Sequence, residues 1–300
     1  MTNHAGHGDH TAHQQHGAPA AHDDHNAHGD HNAHGDHSAH KDHSAHGEHS
    51  AHGDHSAHAG HGPGGLTVSE QGYTLQPDSV IFTAGRQQIT FRIAGPDGTP
   101  VTAFEPTHDK ELHLIATRRD QTGFQHVHPT LDAAGTWTVD LDLTPGVWRY
   151  FADFKPAGHD QLTLGVDISV AGAFDPQPLQ PVEPTFRIDD YAVTLTGDLT
   201  AGQPAELTLT VQRDGRPVTD LEPYLAAYGH LVALRVGDLA YLHVHPEGHP
   251  GDGSTPAGPD IVFVATAPSP GAYRLYLDFQ HGGVVRTASF TVEAGRPHHH

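Results

Sequence analysis

From residue 66 onward, short apolar or β-branched runs alternate with turn residues. In the first half these runs are Leu66–Leu75, Gln88–Ile93, Leu112–Thr117, Phe124–Val127, Thr136–Leu143, Val147–Phe154 and Leu162–Val170. Gly95-Pro96-Asp97-Gly98, Asp132–Gly135 and Pro145-Gly146 punctuate them. The second half shows the same alternation, with runs at Phe186–Thr196, Ala205–Val211, His230–Val236, Leu239–Val244, Ile261–Ala265, Tyr273–Phe279 and Val284–Val292. No long window shows the 3.6-residue period of an amphipathic helix. About seven short strands per half, with regular turn signals, predict an all-β protein of two tandem Ig-like β-sandwich domains.

The two halves are copies. Shifting the sequence by 117 residues sets Gln125-His126-Val127-His128-Pro129 on Leu242-His243-Val244-His245-Pro246, His113 on His230 and Arg118 on Arg235. Over 101–129 against 218–246, 12 of 29 positions are identical, which makes this an internal duplication. At a shifted offset Pro145-Gly146, Arg149 and Asp153-Phe154 meet Pro270-Gly271, Arg274 and Asp278-Phe279. The domains are expected at 66–172 and 185–294, joined by the Pro-rich, semi-rigid linker 173–184 and followed by a short tail at 295–300.

The duplicated His-x-His pair has a physical meaning. Side chains at i and i+2 of a strand share a face, so the two rings stand roughly 6–7 Å apart at the backbone. Neutral imidazole is the commonest protein metal ligand, and two rings at that separation can close on one ion. The following Pro is expected to end the strand, since it cannot donate to the ladder. A hairpin-like distance separates His113 from His126, so a third ring can converge. The candidate metal residues are therefore His113, His126, His128, Asp153 and the loop residue His159 in the first domain. In the second they are His230, His243, His245, Asp278 and His281. Asp153 and Asp278 either serve the site, as ligand or from the outer shell, or pair with Arg149 and Arg274. Glu105-Pro106 and Arg118 read as a turn and an ion pair.

Residues 1–65 carry no such pattern. Histidine recurs every third residue over long stretches, and 19 of the 32 histidines fall in residues 1–62, with eight acidic residues and one Lys. Their apolar content is almost all Ala, so no core can offset the ordering entropy and a disordered tail is expected. Any two or three neighbouring rings with a carboxylate can wrap a divalent ion weakly and exchangeably. The tail's formal charge runs from −7 with neutral His to +12 with all His protonated. Protons compete for the same nitrogens, so affinity falls near the His reference pKa of ~6.5.

Composition narrows the chemistry. A formal net charge of −21 argues against nucleic acid or an anionic membrane as partner. The chain has no Cys and its single Met is Met1, so thiolate sites are excluded. Imidazole and carboxylate without soft sulfur suit Cu(II) first, then Zn(II) and Ni(II). No apolar run reaches the ~18 residues of a membrane span. The sequence opens without the apolar segment of a secretion signal, which fits a cytosolic chain or the mature form of an exported one. No Gly-rich phosphate loop, Gly-x-Ser-x-Gly or His-Glu-x-x-His is present, so no enzyme is expected.

At Leu112-His113-Leu114-Ile115, Phe124-Gln125-His126-Val127-His128-Pro129 and Ala152-Asp153-Phe154 the chain resembles bacterial exported, heavy-metal-associated β-sandwich proteins. The stretch from Tyr224 to His245 looks like a second module of the same kind. In architecture it is similar to small periplasmic copper carriers of the CopC and YtkA-like type. That resemblance implies an Ig-like sandwich, extracytoplasmic metal handling, and a transporter or acceptor protein as partner. The Met-rich Cu(I) motif of such carriers is absent. The expected function is divalent-metal binding, sequestration or delivery. The alternative is a tandem Ig-like interaction module whose His pairs are structural.

Overall fold

The computed structural model describes residues 63–297. The His-rich stretch 1–62 and His298–His300 lie outside the described residues, as do the expectations made for them. So do the side chains of His243 and His245. All regular structure among the described residues is strand, and no helix there is long and apolar enough to cross a membrane.

The first domain contains β1 (Ser69–Glu70), β2 (Tyr73–Pro77), β3 (Ile81–Thr83), β4 (Gly85–Ala94), β5 (Leu112–Arg118), β6 (Gln125–Val127), β7 (Thr130–Leu131), β8 (Thr136–Leu143), β9 (Gly146–Phe154) and β10 (Leu162–Ala171). They form two sheets, β1-β2-β4-β8-β7 and β3-β10-β9-β5-β6. Phe91, Trp137, Trp148 and Tyr150 fill the core between them.

The second domain contains β11 (Thr185–Ile188), β12 (Tyr191–Thr196), β13 (Leu199–Thr200), β14 (Pro204–Arg213), β15 (Arg216–Pro217), β16 (His230–Arg235), β17 (Tyr241–Pro246), β18 (Asp260–Thr266), β19 (Gly271–His281) and β20 (Val284–Gly295). Phe263, Tyr273, Phe279 and Phe290 lie in its core. Here β17 pairs with β16 and, through His245 and Pro246, with β18, so it joins the two layers into one continuous sheet.

Several details depart from the sequence reading. The single strand expected over 66–75 is a hairpin, turned at Gln71 and Gly72, both with positive φ. The run 186–196 likewise turns at Asp189, φ 52°. Proline does break the strand in the first domain, where Pro129 stands between β6 and β7. In the second domain it does not: Pro246 stays in β17 opposite Phe263. Glu247 N donates to Val262 O, so the hydrogen-bonded pair lies one residue on and the proline ring nitrogen points away from β18.

The two domains pack through sheet faces. Along β5, Leu112, Leu114 and Ala116 point into the first core, while Ile115 joins a third apolar cluster with Phe151, Val232, Leu234, Leu239, Tyr241 and Tyr276. This cluster lies between the domains, which is why β5 and most of β9 are buried on both faces. The duplication gives the interface matching aromatic pairs. Phe124 stacks on Tyr276 with centroids 4.0 Å apart, and Phe151 meets Tyr241 at 5.5 Å. Each pair joins copies of the same two positions in opposite order, an approximate two-fold arrangement. The Tyr276 hydroxyl donates to Gln121 O at 2.7 Å.

Both connecting segments are tied down. The Tyr241 amide donates to Gly64 O and the Gly65 amide donates to Thr163 O, so residues 64–65 bridge the two domains. Gly165 permits this approach, since a Cβ there would sit 2.1 Å from Gly65 O. In the linker, the Gln177 amide donates to Asp120, and Thr291 of the second domain donates to Gln180 O.

Candidate metal centre

The odd-numbered face of β5 presents His113 beside Ile115, toward the second domain. Antiparallel pairing of β5 with β6 sets Ile115 opposite His126 and Leu114 opposite Val127. One step further, His113 stands opposite His128. Period-two alternation thus brings three imidazoles onto one patch. His113 Nδ1 lies 3.0 Å from His126 Nε2 and 3.2 Å from His128 Nε2. One nitrogen from each ring lies within 4.8 Å of the other two.

The partners of the remaining nitrogens fix the tautomers. His113 Nε2 is 2.9 Å from Thr107 O, which only accepts, so Nε2 carries the proton and Nδ1 is bare. His126 Nδ1 donates to Asp278 Oδ2 at 2.8 Å, which turns its Nε2 toward His113. The His113 Nδ1 lone pair faces His126 Nε2 across 3.0 Å. Burial pushes the His113 imidazolium well down, to about 4, and the His128 imidazolium to about 3. Neutral His113 and His128 rings leave lone pairs that a cation can share with His126 Nε2.

The spacing fits one. Nitrogens ~2.0–2.1 Å from a tetrahedral ion lie about 3.3 Å apart, close to the two contacts at His113. The outer shell also fits: ligating His commonly donates its other N–H to a carboxylate or backbone carbonyl. Asp278 and Thr107 O supply one of each, and Thr287 Oγ1 in turn donates to Asp278 Oδ1 at 2.5 Å. The site is buried, with the side chains of His126 and Asp278 only 4% and 5% exposed.

The other candidate residues are distributed differently from the sequence reading. Asp278 bonds His126 of the first domain, across the interface from its own. Asp153 stands beside His113 in the β5–β9 register, yet its oxygens accept from Gln161 and Thr163, with the Tyr241 hydroxyl 3.5 Å away. Neither Asp takes the nearby Arg as partner. Arg149 binds Gly65 O and Asp167, and Arg274 binds Ser289 and Thr291. His159 lies against the Tyr73 ring, and His281 bonds the Tyr191 hydroxyl and Asp220, so neither joins the triad. His159 lies in a loop and His281 at the end of β19, each engaged with those partners. His230 lies close to the triad, its ring 6.4 Å from His113 and 6.2 Å from His126. His108, absent from the candidates because it has no duplicate, sits 5.2 Å from His230 and 6.3 Å from His113. Its only sequence signal was proximity to His113.

Fold and cluster together define a tandem β-sandwich protein with buried imidazoles between its domains. The chain belongs to the DUF8832 family, described as a domain of unknown function, which matches residues 67–172 and 186–296. No curated protein matches it. Among solved structures it is similar to the Escherichia coli adhesin FdeC, with 17% identity over 77% of this chain and 65% of that one, TM-score 0.24. The Yersinia pseudotuberculosis adhesin InvE gives 14% identity over 75% and 60%, TM-score 0.23. Domains 5–6 of the S-layer protein SbsC give 13% over 75% and 98%, TM-score 0.23. This chain spans less than two thirds of either adhesin chain, and TM-scores this low carry no functional weight.

Proposed function

We propose that the protein binds a divalent transition metal through His113, His126 and His128 and serves to sequester or deliver it. The observation that carries this reading is the convergence of three imidazole nitrogens, with the other nitrogens of His113 and His126 already hydrogen-bonded. Cu(II) is the first choice and Zn(II) or Ni(II) the next, since the donor set is all nitrogen with no sulfur. In this reading the His-rich residues 1–62 collect ions and pass them to the preorganised centre, since linkage raises their effective concentration there. The point of attachment supports it: Gly64 and Gly65 are held at Tyr241 and Thr163, beside Asp153. The same reading sets the protein outside the cytoplasm, as for the exported proteins its motifs resemble, with a transporter or acceptor protein receiving the ion.

A second reading makes the cluster a structural joint. The His126–Asp278 bond ties one domain to the other, and a proton on His128 Nε2 can serve His113 Nδ1. Titration separates the two. The suitable protein is the full chain with the nineteen His of residues 1–62 and His298–His300 replaced by Ser, termed the tail-silenced chain. The metal reading expects tight Cu(II) or Zn(II) binding in calorimetry. It also expects Asp278→Asn to weaken it by roughly 10- to 100-fold, the usual effect of removing such an outer-shell carboxylate. No tight binding by the tail-silenced chain would leave the structural reading.

A further inference from the structure

Arg149 and Arg274 occupy duplicate positions, but their partners differ. Both are buried, and each guanidinium carbon lies 5.6 Å from the centre of the ring two residues on, Phe151 or Tyr276. Arg149 has a carboxylate and a carbonyl: Nη1 donates to Asp167 at 2.7 Å, and Nε and Nη2 donate to Gly65 O at 3.0 and 2.6 Å. In the register of β19 with β20, Thr291 takes the position of Asp167 and Ser289 that of Gly165. Arg274 donates to those two hydroxyls, Thr291 Oγ1 at 2.9 Å and Ser289 Oγ at 2.7 Å, and pairs with no carboxylate among the described residues.

The surroundings differ in the same way. In the first copy, Gly64 and Gly65 lie against Arg149, Phe151, Thr163 and Gly165. The counterparts Arg274, Tyr276, Thr287 and Ser289 instead line a cavity of about 320 Å³. Phe124 of the first domain and Pro178 and Leu179 of the linker form apolar parts of its wall. Asp120 also borders it, but its oxygens already accept from Arg118, Thr122 and the Gln177 amide. A buried guanidinium without an anion is costly. Arg274 uses two of its five N–H donors, and the Ser289 hydroxyl that accepts from it still has a proton to give.

We infer that this cavity is a binding site for a small organic carboxylate. Its carboxylate takes the free N–H groups of Arg274 and the Ser289 hydroxyl, and its apolar body packs against Phe124 and Leu179. Arginine suits this role because its planar fork matches a carboxylate. The volume is at the low end for ligand pockets, roughly 300–1,000 Å³, which admits a small molecule and not a polypeptide partner. One guanidinium with Asp120 on the same wall favours a monoanion over a phosphate. The bound ligand touches both domains and the linker, so it holds the three together where residues 64–65 do so in the first copy. The inference is independent of the metal reading.

The test is calorimetric titration of the tail-silenced full chain with phenylacetate and acetate, with phenylacetamide as the uncharged control. One phenylacetate per chain is expected, with acetate weaker and phenylacetamide not binding. Arg274→Gln should weaken phenylacetate by at least about tenfold, the scale of a charge-assisted hydrogen bond. Ser289→Asp supplies the missing carboxylate from the chain itself. It should weaken phenylacetate as much without lowering the unfolding temperature, and circular dichroism checks that both variants fold. Binding of neither carboxylate would overturn the inference. Phenylacetamide binding as well as phenylacetate would remove the guanidinium from recognition, and binding unchanged by Ser289→Asp would place the ligand elsewhere. Displacement of phenylacetate by equimolar chloride would reduce the cavity to an inorganic-anion site and overturn the organic ligand.

Discussion

Replacing His126 and His128 together by Ala is expected to lower the metal-induced rise in unfolding temperature by on the order of 10 °C. A ligand that binds only the folded state, present at a thousand times its dissociation constant, stabilises by about 4 kcal/mol. For a folded region of this size, each kcal/mol moves the midpoint by about 2–4 °C. The site is assembled from β5, β6 and the opposing domain, so unfolding scatters its ligands and the whole binding energy appears as stability. The readout is a thermal melt of the tail-silenced chain with and without Zn(II), which avoids redox chemistry. An unchanged metal-induced shift in the double variant would remove these residues from the site.

Acid is expected to destabilise the metal-free protein well before its carboxylates titrate. Burial depresses the imidazolium of His113 to about 4, and those of His128 and His230 to about 3. Above pH ~6.5 these rings are neutral in the folded and unfolded chains alike, and they add no slope. Below it the unfolded chain takes up protons that the folded chain refuses until about pH 4 to 3. Stability therefore falls as pH drops through that window, by a few kcal/mol in all as an order of magnitude. Urea unfolding of the metal-free, tail-silenced chain at pH 7, 6 and 5, followed by Trp fluorescence, reads this directly. His230→Asn should flatten the slope, and a midpoint that does not move between pH 7 and 5 would contradict the burial of neutral rings.

The strand pattern was legible because each core face writes itself as period-two apolarity. Two-residue strands such as β7 and β15 are too short to write any pattern, and the turns at Gln71 and Asp189 hide inside runs that read as continuous. The triad was legible for the same reason as the strands: His126 and His128 share a face, and His113 lies a hairpin away. The Asp278–His126 bond was not, because it joins residues 152 positions apart. Periodicity says which face a residue occupies but not what lies opposite that face. One clue was present in Tyr150-Phe151-Ala152-Asp153-Phe154 and Tyr273–Phe279. Their near-continuous apolar character, rather than alternation, marks strands covered on both sides.

The measurement that bears most directly on the central claim is X-ray absorption at the metal edge of the tail-silenced chain loaded with one equivalent of Zn(II). Three imidazole nitrogens at ~2.0–2.1 Å, with a fourth light-atom ligand, are the expected first shell. They should be lost when His113, His126 and His128 are all replaced. A shell of water oxygens alone, or an imidazole shell that survives those replacements, would contradict the account.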